Sequence, residues 1–341
     1  MPVTLKDIAA KANVSVGTVD RALNKRGRID PEVAARIRAI AEDLGYKTNS
    51  VAKSLAIRKR NLKIAIILHI QHNDYYNEVM RGISKGEDEI RDFGIKIQYY
   101  HSRDFNAVEQ CALIDQAIAD GASAIIIVPI NDERVKEKII ATQNAGLPVV
   151  FLSSFLEGVP CFFSIHCNYY RSGRIGGRLI HMLCNEEREF LVFTPSLSML
   201  GHQQRLQGLQ SYIQSAGLSI AETVEVPSDT NAVSDTYRIA SEVLARHPKV
   251  RCALFCGNTE AWVKAVSECG RTITNVVYDD FPPTYDALIS GVITAAICQE
   301  PVEQGYQAIR NLYHHFLGIE TVNPSTEILI DNKIIVKESI D

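Results

Sequence analysis

No apolar run in this chain approaches the roughly 20 residues that a membrane span needs, and none is predicted. The opening stretch, MPVTLKDIAAKANVS, carries Lys6 and Asp7 where a signal peptide would place its apolar segment, so a cytoplasmic location is expected. The eight cysteines include no CxxC pair; Cys252 and Cys256 are the closest two, and no histidine joins them at zinc spacing. They read as reduced, buried thiols. His69 and His72 lack a third partner, and no metal is expected. The sequence also has no G-x-x-x-x-G-K-[ST] loop, G-x-S-x-G elbow or H-E-x-x-H helix. RSGRIGGRL is a glycine cluster suited to close helix packing. Asp279 and Asp280 are adjacent, and neighbours in extended chain point apart, which argues against an acid/base pair. Neither an enzyme nor a cofactor is expected.

What the chain does have is enough apolar residue, 46% of 341, to fill two or three compact units. Its charge is unevenly spread. Residues 1–60 carry a net +7 and the remaining 281 residues −11, which together give the −4 of the whole. A basic front on an acidic body suits a segment that meets a polyanion while the body is kept away.

Local patterning sharpens this reading. Thr4 and Asp7 form a capping box that starts a helix over Leu5–Ala12, with Leu5, Ile8, Ala9 and Ala12 on its inner face. Ser15 caps a second short helix from Val16 to Asn24; Val19 and Leu23 face inward, while Val16, Gly17, Asp20 and Arg21 face out. Asp30-Pro31 starts a third, lined by Val33, Ile37, Ile40 and Leu44 and ended by Gly45. Three short helices with a tight turn between the first two predict a helix-turn-helix whose second helix reads a major groove.

VTLKDIAAKANVSVGTVDRALN, with GYKTNSVAKSLA, resembles the headpiece of the lactose-repressor-type (LacI/GalR) transcription regulators over residues 3–60. The resemblance implies that Val16, Gly17 and Arg21 sit on base edges and that Thr4, Ser15, Thr18 and Asn24 hold phosphates or the helix start. Arg can donate a bidentate pair to guanine, worth about 1–3 kcal/mol of discrimination. Gly17 costs about 1 kcal/mol of helix propensity relative to Ala, which close approach to the groove floor explains. Asp20 replaces the more usual small hydroxyl residue; it either accepts from a cytosine amino group or orients Arg21, the second being favoured. Lys25, Arg26 and Arg28 follow the reading helix and are expected on phosphates. In NSVAKSLAIRKR, Asn49 is a candidate N-cap of a segment too short to be a stable helix alone. The resemblance implies that it folds on DNA in a dimer, with Leu55 wedged between base steps of the minor groove and Ala52 beside it.

From Leu62 the pattern changes. LKIAIIL, IKIQYY, SAIIIVP and LPVVFL are short β-rich runs separated by amphipathic stretches such as Val108–Ala119 and Val135–Ala145, and EFLVFTP, RCALFC, ITNVVYDD and ITAAICQ repeat the cycle. Two doubly wound lobes are predicted, with a ligand cleft at the strand ends. HNDYYNEVMRGI, LFCGNTEAWVKAV and the segment VVYDDFPPTYDALISGVITAAICQEPVEQGYQAI are similar to the ribose-type periplasmic sugar-binding fold, the effector domain of the same regulators. The fold class expected is thus an all-α helix-turn-helix headpiece, then an α/β periplasmic-binding-protein-like domain. The boundaries are 1–47 for the headpiece, 48–61 for the hinge helix and linker, and 62–341 for the effector and dimerisation domain. The resemblance implies ligand contacts at Asn73, Tyr75, Tyr76, Arg205, Asn258, Asp279 and Gln299. Aromatic faces stack on a sugar while the polar groups bracket its hydroxyls. Two positions depart from the pattern: Ser153-Ser154 stand where Asp-Arg is usual, and Cys167 where Asp is common. An ordinary aldopyranose is therefore in doubt, and Ser153 and Ser154 are expected to reshape the site. The expected effector is a sugar, polyol, inositol, sugar acid or sugar phosphate, with Arg205 and His202 available to an anion. The expected partners are palindromic operator DNA and a second copy in a homodimer, since no long heptad tail follows Asp331; no membrane is expected.

Overall fold

The computed structural model describes residues 3–23, 29–44, 57–68, 74–102, 106–184, 187–197, 199–227, 232–319 and 322–340. Helix α1 (Leu5–Ala12) begins at the expected capping box, Thr4 N donating to Asp7 Oδ2 at 2.7 Å and Asp7 N to Thr4 Oγ1 at 3.4 Å. Ser15 Oγ accepts from Thr18 N at 3.1 Å and starts α2 (Val16–Leu23). Asp30 Oδ1 accepts from Glu32 N and Val33 N, with Pro31 opening α3 (Pro31–Asp43). Ile8, Val19 and Ile37 meet with no exposure at all, and Ala12, Ala22, Ala34 and Ala41 surround them. The deepest line on α3 is Ala34, Ile37 and Ala41. Val33, Ile40 and Leu44, expected there, are only partly buried, because the alanines let the α3 backbone itself come close. Arg36 donates to Ala12 O and Arg38 to Ala22 O, so two cations of the basic front cap carbonyls at helix ends.

The first lobe is a parallel sheet of β1 (Lys63–Leu68), β2 (Lys96–His101), β3 (Ala124–Ile127), β4 (Val149–Leu152), β5 (Phe163–Cys167) and β11 (Thr326–Ile330), in the order β11-β5-β4-β3-β1-β2. Alternation on β1 divides two cores. Ile64, Ile66 and Leu68 pack under α4 (Asp74–Ile90) and α12 (Pro301–Phe316), while Ala65 and Ile67 pack under α5 (Ala107–Ala119) and α6 (Glu133–Asn144). The second lobe joins β6 (Glu189–Thr194), β7 (Ser219–Glu225), β8 (Cys252–Phe255), β9 (Thr274–Tyr278), β10 (Ala295–Cys298) and β12 (Lys333–Ile335) in the order β12-β10-β9-β8-β6-β7, β12 antiparallel. Phe190, Val192 and Leu254 face α7 (Tyr169–Leu183) and α8 (Leu200–Ala216); Phe193, Phe255 and Trp262 lie on the other face, with α9 (Val233–Arg246), α10 (Thr259–Glu268) and α11 (Pro282–Ser290).

The chain passes between lobes three times, from β5 into α7, from β10 into α12 and from β11 into β12. Each crossing helix is locked to its host lobe by glycine. A Cβ at Gly173 of α7 would stand 1.9 Å from Arg205 O on α8, and one at Gly305 of α12 would stand 2.1 Å from Val79 O on α4. RSGRIGGRL thus serves the close packing expected of it. One expectation fails: Cys184, just after α7, and Cys252, which opens β8, form a disulfide with Cα atoms 6.2 Å apart. The packing of α7 along β8 brings together two thiols that lie far apart in sequence. The other six cysteines are free.

Candidate functional site

On α2 the side chains turned from the headpiece core are Val16, Gly17 and Arg21, with Asp20 half-buried beside them. Val16 is 41% exposed, unusual for a valine in so small a unit. Among the described residues, a Cβ at Gly17 would meet only Ser15 Oγ, at 3.8 Å, so none of them requires glycine there. Arg21 Nε donates to Gly17 O at 3.1 Å, an anchor for the guanidinium separate from Asp20. Ser15 and Thr18 share a hydroxyl hydrogen bond of 2.8 Å at the helix start. Thr4, Ser15, Val16, Gly17, Thr18, Asp20 and Arg21 therefore group around the starts of α1 and α2 and the outer face of α2. Asn24, Lys25, Arg28, Asn49, Ala52 and Leu55 lie outside the described residues.

Between the lobes, a cavity lies at the carboxyl ends of both sheets. Tyr75, Tyr76, Ser153, Ser154, Asn258, Asp279 and Gln299 all line it. Each occupies a strand end or a helix start: Tyr75 and Tyr76 open α4, Ser153 follows β4, Asn258 caps α10 through Ala261 N, and Asp279 and Gln299 follow β9 and β10. Ser153 (φ 56), Asp279 (φ 72) and Glu300 (φ 55) have left-handed backbone, strain that gathers at this cleft and its crossings. Asn73 lies outside the described residues.

Arg205 does not line the cavity. It lies underneath, 5% exposed, donating to Cys256 Sγ at 3.2 Å and to Gln299 Oε1, with its guanidinium 4.1 Å from the Tyr278 ring centre and 5.3 Å from that of Tyr169. Its Nε is buried without a hydrogen-bond partner. It fixes the residues of the floor. Gln299 in turn donates to Asp279 Oδ1 at 2.7 Å. Gln304, fully buried at the start of α12, accepts from Tyr75 Oη at 3.0 Å and Ser153 Oγ at 2.9 Å, and donates to Gln299 O at 2.7 Å. A continuous hydrogen-bonded chain thus runs from the first lobe through the crossing to Asp279 in the second.

Burial pushes the Asp279 carboxyl up to about 6, against the Gln299 hydrogen bond and the Arg205 charge. Burial also raises Asp74, helped by the charge of Glu260. The Cys167 thiol is pushed up to about 11 by the same cause and stays neutral. Sequence reasoning missed Gln304 and the lining residues Asp74, Tyr169, Met199, Cys256 and Phe281. Asp74 was discernible, as the neighbour of an aromatic pair at a helix start; Tyr169 was hidden because β5, which delivers it, was not recognised as a strand. Among the described residues no group of His, Cys, Asp and Glu could hold a metal ion, and no helix is long and apolar enough to cross a membrane.

Two family models match the chain: the periplasmic binding protein domain over residues 64–320, and the bacterial regulatory proteins of the lacI family over residues 4–49. The ribose operon repressor of Bacillus subtilis is 26% identical over 96% of this chain and 94% of its own length. Catabolite control protein A of Priestia megaterium is 25% identical over 76% of this chain and 75% of its own. Among solved structures, a glucose-galactose binding protein of Geobacillus stearothermophilus superposes with a TM-score of 0.72 at 21% identity, covering 82% of this chain and 98% of that one. A solute-binding protein of Agrobacterium vitis, bound with alpha-D-tagatopyranose, reaches 0.69 at 23% identity over 81% and 95%.

Proposed function

Because this chain belongs to the lacI family of bacterial regulatory proteins, with a periplasmic binding protein domain behind its headpiece, we propose that it is an operator-binding repressor controlled by a sugar-like metabolite. It is a regulator and not an enzyme. The observation that carries the effector half is the cavity shared by both lobes: a molecule there touches Tyr75 and Ser153 on one side and Asn258 and Asp279 on the other. Its binding therefore depends on the angle between the lobes. A ligand shifts operator affinity only by its differential affinity for two states, typically about 1–3 kcal/mol of coupling.

In this reading a cytoplasmic homodimer places one headpiece on each half of a palindromic operator. Arg21, with Val16 and Gly17, reads base edges; Thr4, Ser15, Thr18, Asn24, Lys25 and Arg28 hold backbone; Asn49, Ala52 and Leu55 belong to the hinge. Asp20 supports Arg21 from the same helix. In the cleft, Tyr75 and Tyr76 offer ring faces, and Asn258, Asp279, Gln299 and the Ser153-Ser154 pair take the polar groups.

The test is selection of duplex DNA from a random pool by the full chain. Enrichment of one palindromic sequence, with loss of affinity when a half-site is scrambled, is the expected outcome. A pool that stays random removes the operator half of the reading.

A further inference from the structure

The charge lining the cleft deepens this reading, and rests on it, by naming the class of effector. Among the described residues two carboxylates line the cavity, Asp74 at the start of α4 and Asp279 after β9, and no lysine or arginine does. Arg205 contributes its charge from beneath, its guanidinium held by Cys256 and Gln299 and stacked on Tyr278. Further acid stands behind each carboxylate: Glu260 acts on Asp74, and Asp280 on Asp279. Both carboxyls are accordingly held above the ordinary range, burial being the larger cause. Asp279 is 7% exposed and lines the cavity, and its hydrogen bond from Gln299 goes to Oδ1. His202, also on the wall, turns Nδ1 to Ser196 O at 2.9 Å.

Four rings, Tyr75, Tyr76, Tyr169 and Phe281, also line the cavity, among uncharged residues such as Ser153, Asn258 and Met199. Aromatic faces attract cations, most strongly where water is displaced. A neutral sugar would satisfy hydrogen bonds here but bring no opposing charge, and an acid or phosphate would add a third anion beside two carboxylates, with Arg205 set beneath the cavity and not on its wall. We infer that the effector is a polyhydroxylated amine, its ammonium facing Asp74 and Asp279 within the ring-lined cleft, and that sugar acids and sugar phosphates are rejected.

Calorimetric titration of the full chain with matched sets tests this. On hexose, pentose and inositol skeletons, the amino, neutral, acid and phosphate members are compared at neutral pH. The amino member of one skeleton should bind at least about tenfold tighter than its neutral counterpart, the scale of one charge-assisted hydrogen bond. Asp74→Asn should remove that advantage, so that the amino and neutral members of a skeleton bind within about twofold of each other. Asp74 is only half-buried at a helix start, and circular dichroism checks the variant's fold. In the unmodified protein, added salt should weaken the amine and spare the neutral sugar, a readout that needs no variant. If a neutral, acid or phosphate member binds tightest, the amine is overturned while the sugar reading stands. If no member of any set binds, both fall together.

Discussion

Gly17 is the residue at which folding and function pull apart. Among the described residues of the headpiece none fills the space beside it, so Gly17→Ala should stabilise α2 by about 1 kcal/mol of helix propensity. The same methyl group would stand between the helix and the groove floor, and affinity for the selected operator should fall. Thermal unfolding and fluorescence anisotropy read the two effects separately; a variant that gains stability and keeps its affinity would show that the helix does not approach the bases there. Arg21→Ala should relax base preference at one operator position by about 1–3 kcal/mol, measured by competition among singly substituted duplexes. In the cleft, Asp279 has a raised folded-state pKa, about 6 against an ordinary 3.8. The folded protein therefore holds more protons than the unfolded one between those values, and this group's contribution to stability falls as pH rises through that window. Asp279→Asn should remove that decline, which urea titrations across the same pH range would reveal. The site residues were legible in sequence where a motif brought several together, as around Tyr75 and Asp279. Arg205 was recognised as belonging to the site, but its depth was not, because the packing of α7 on α8 that sinks it depends on glycines distant in the chain.

The glycine contacts make the helix pairs into rigid blocks. Gly173→Ala would drive a Cβ into Arg205 O, so α7 and α8 must separate, at a cost of about 1–3 kcal/mol or more, and the floor held by Arg205 must shift with them. Urea unfolding gives the first effect and effector titration the second. The disulfide closes a loop across a sequence separation of 68 residues, which by loop entropy stabilises the domain by about 4 kcal/mol. Unfolding with and without reductant should differ by an amount of this order, and Cys184→Ser should abolish the difference. The glycine packing of α7 was legible in RSGRIGGRL, but the disulfide was not legible in the sequence. The cysteines are separated by two strands and two helices, and only the finished sheet places them side by side. Strand β7, SIAETVE, was missed because an edge strand needs no continuous apolar run, and β5, FSIHC, because serine and histidine interrupt its apolar pattern although every residue in it is buried. The eight strands anticipated are those with dense Val, Ile, Leu, Ala or Phe.

At the scale of the molecule, the proposed function makes cleft occupancy and operator affinity two readings of one interlobe angle, with three crossings and the Gln304 chain between the lobes as its carriers. A bound effector should change operator affinity by about 5–150-fold, and Asp279→Ala should erase that change while leaving operator affinity without effector intact. Affinity measured with and without a calorimetrically identified ligand decides it; a response that survives the substitution would move the effector elsewhere. The same crossings have a consequence for synthesis on the ribosome. The first lobe's sheet is incomplete until β11, Thr326–Ile330, has been made, and α12, which covers α4, comes from residues 301–316. Its β1–β4 core must therefore wait, partly uncovered, while nearly the whole second lobe is translated, and such exposed sheet is prone to aggregate. The headpiece has its own closed core and can fold long before that. A nascent chain thus presents a finished DNA-reading module well before it has an effector site, and the wait itself makes the first lobe the natural client for a chaperone.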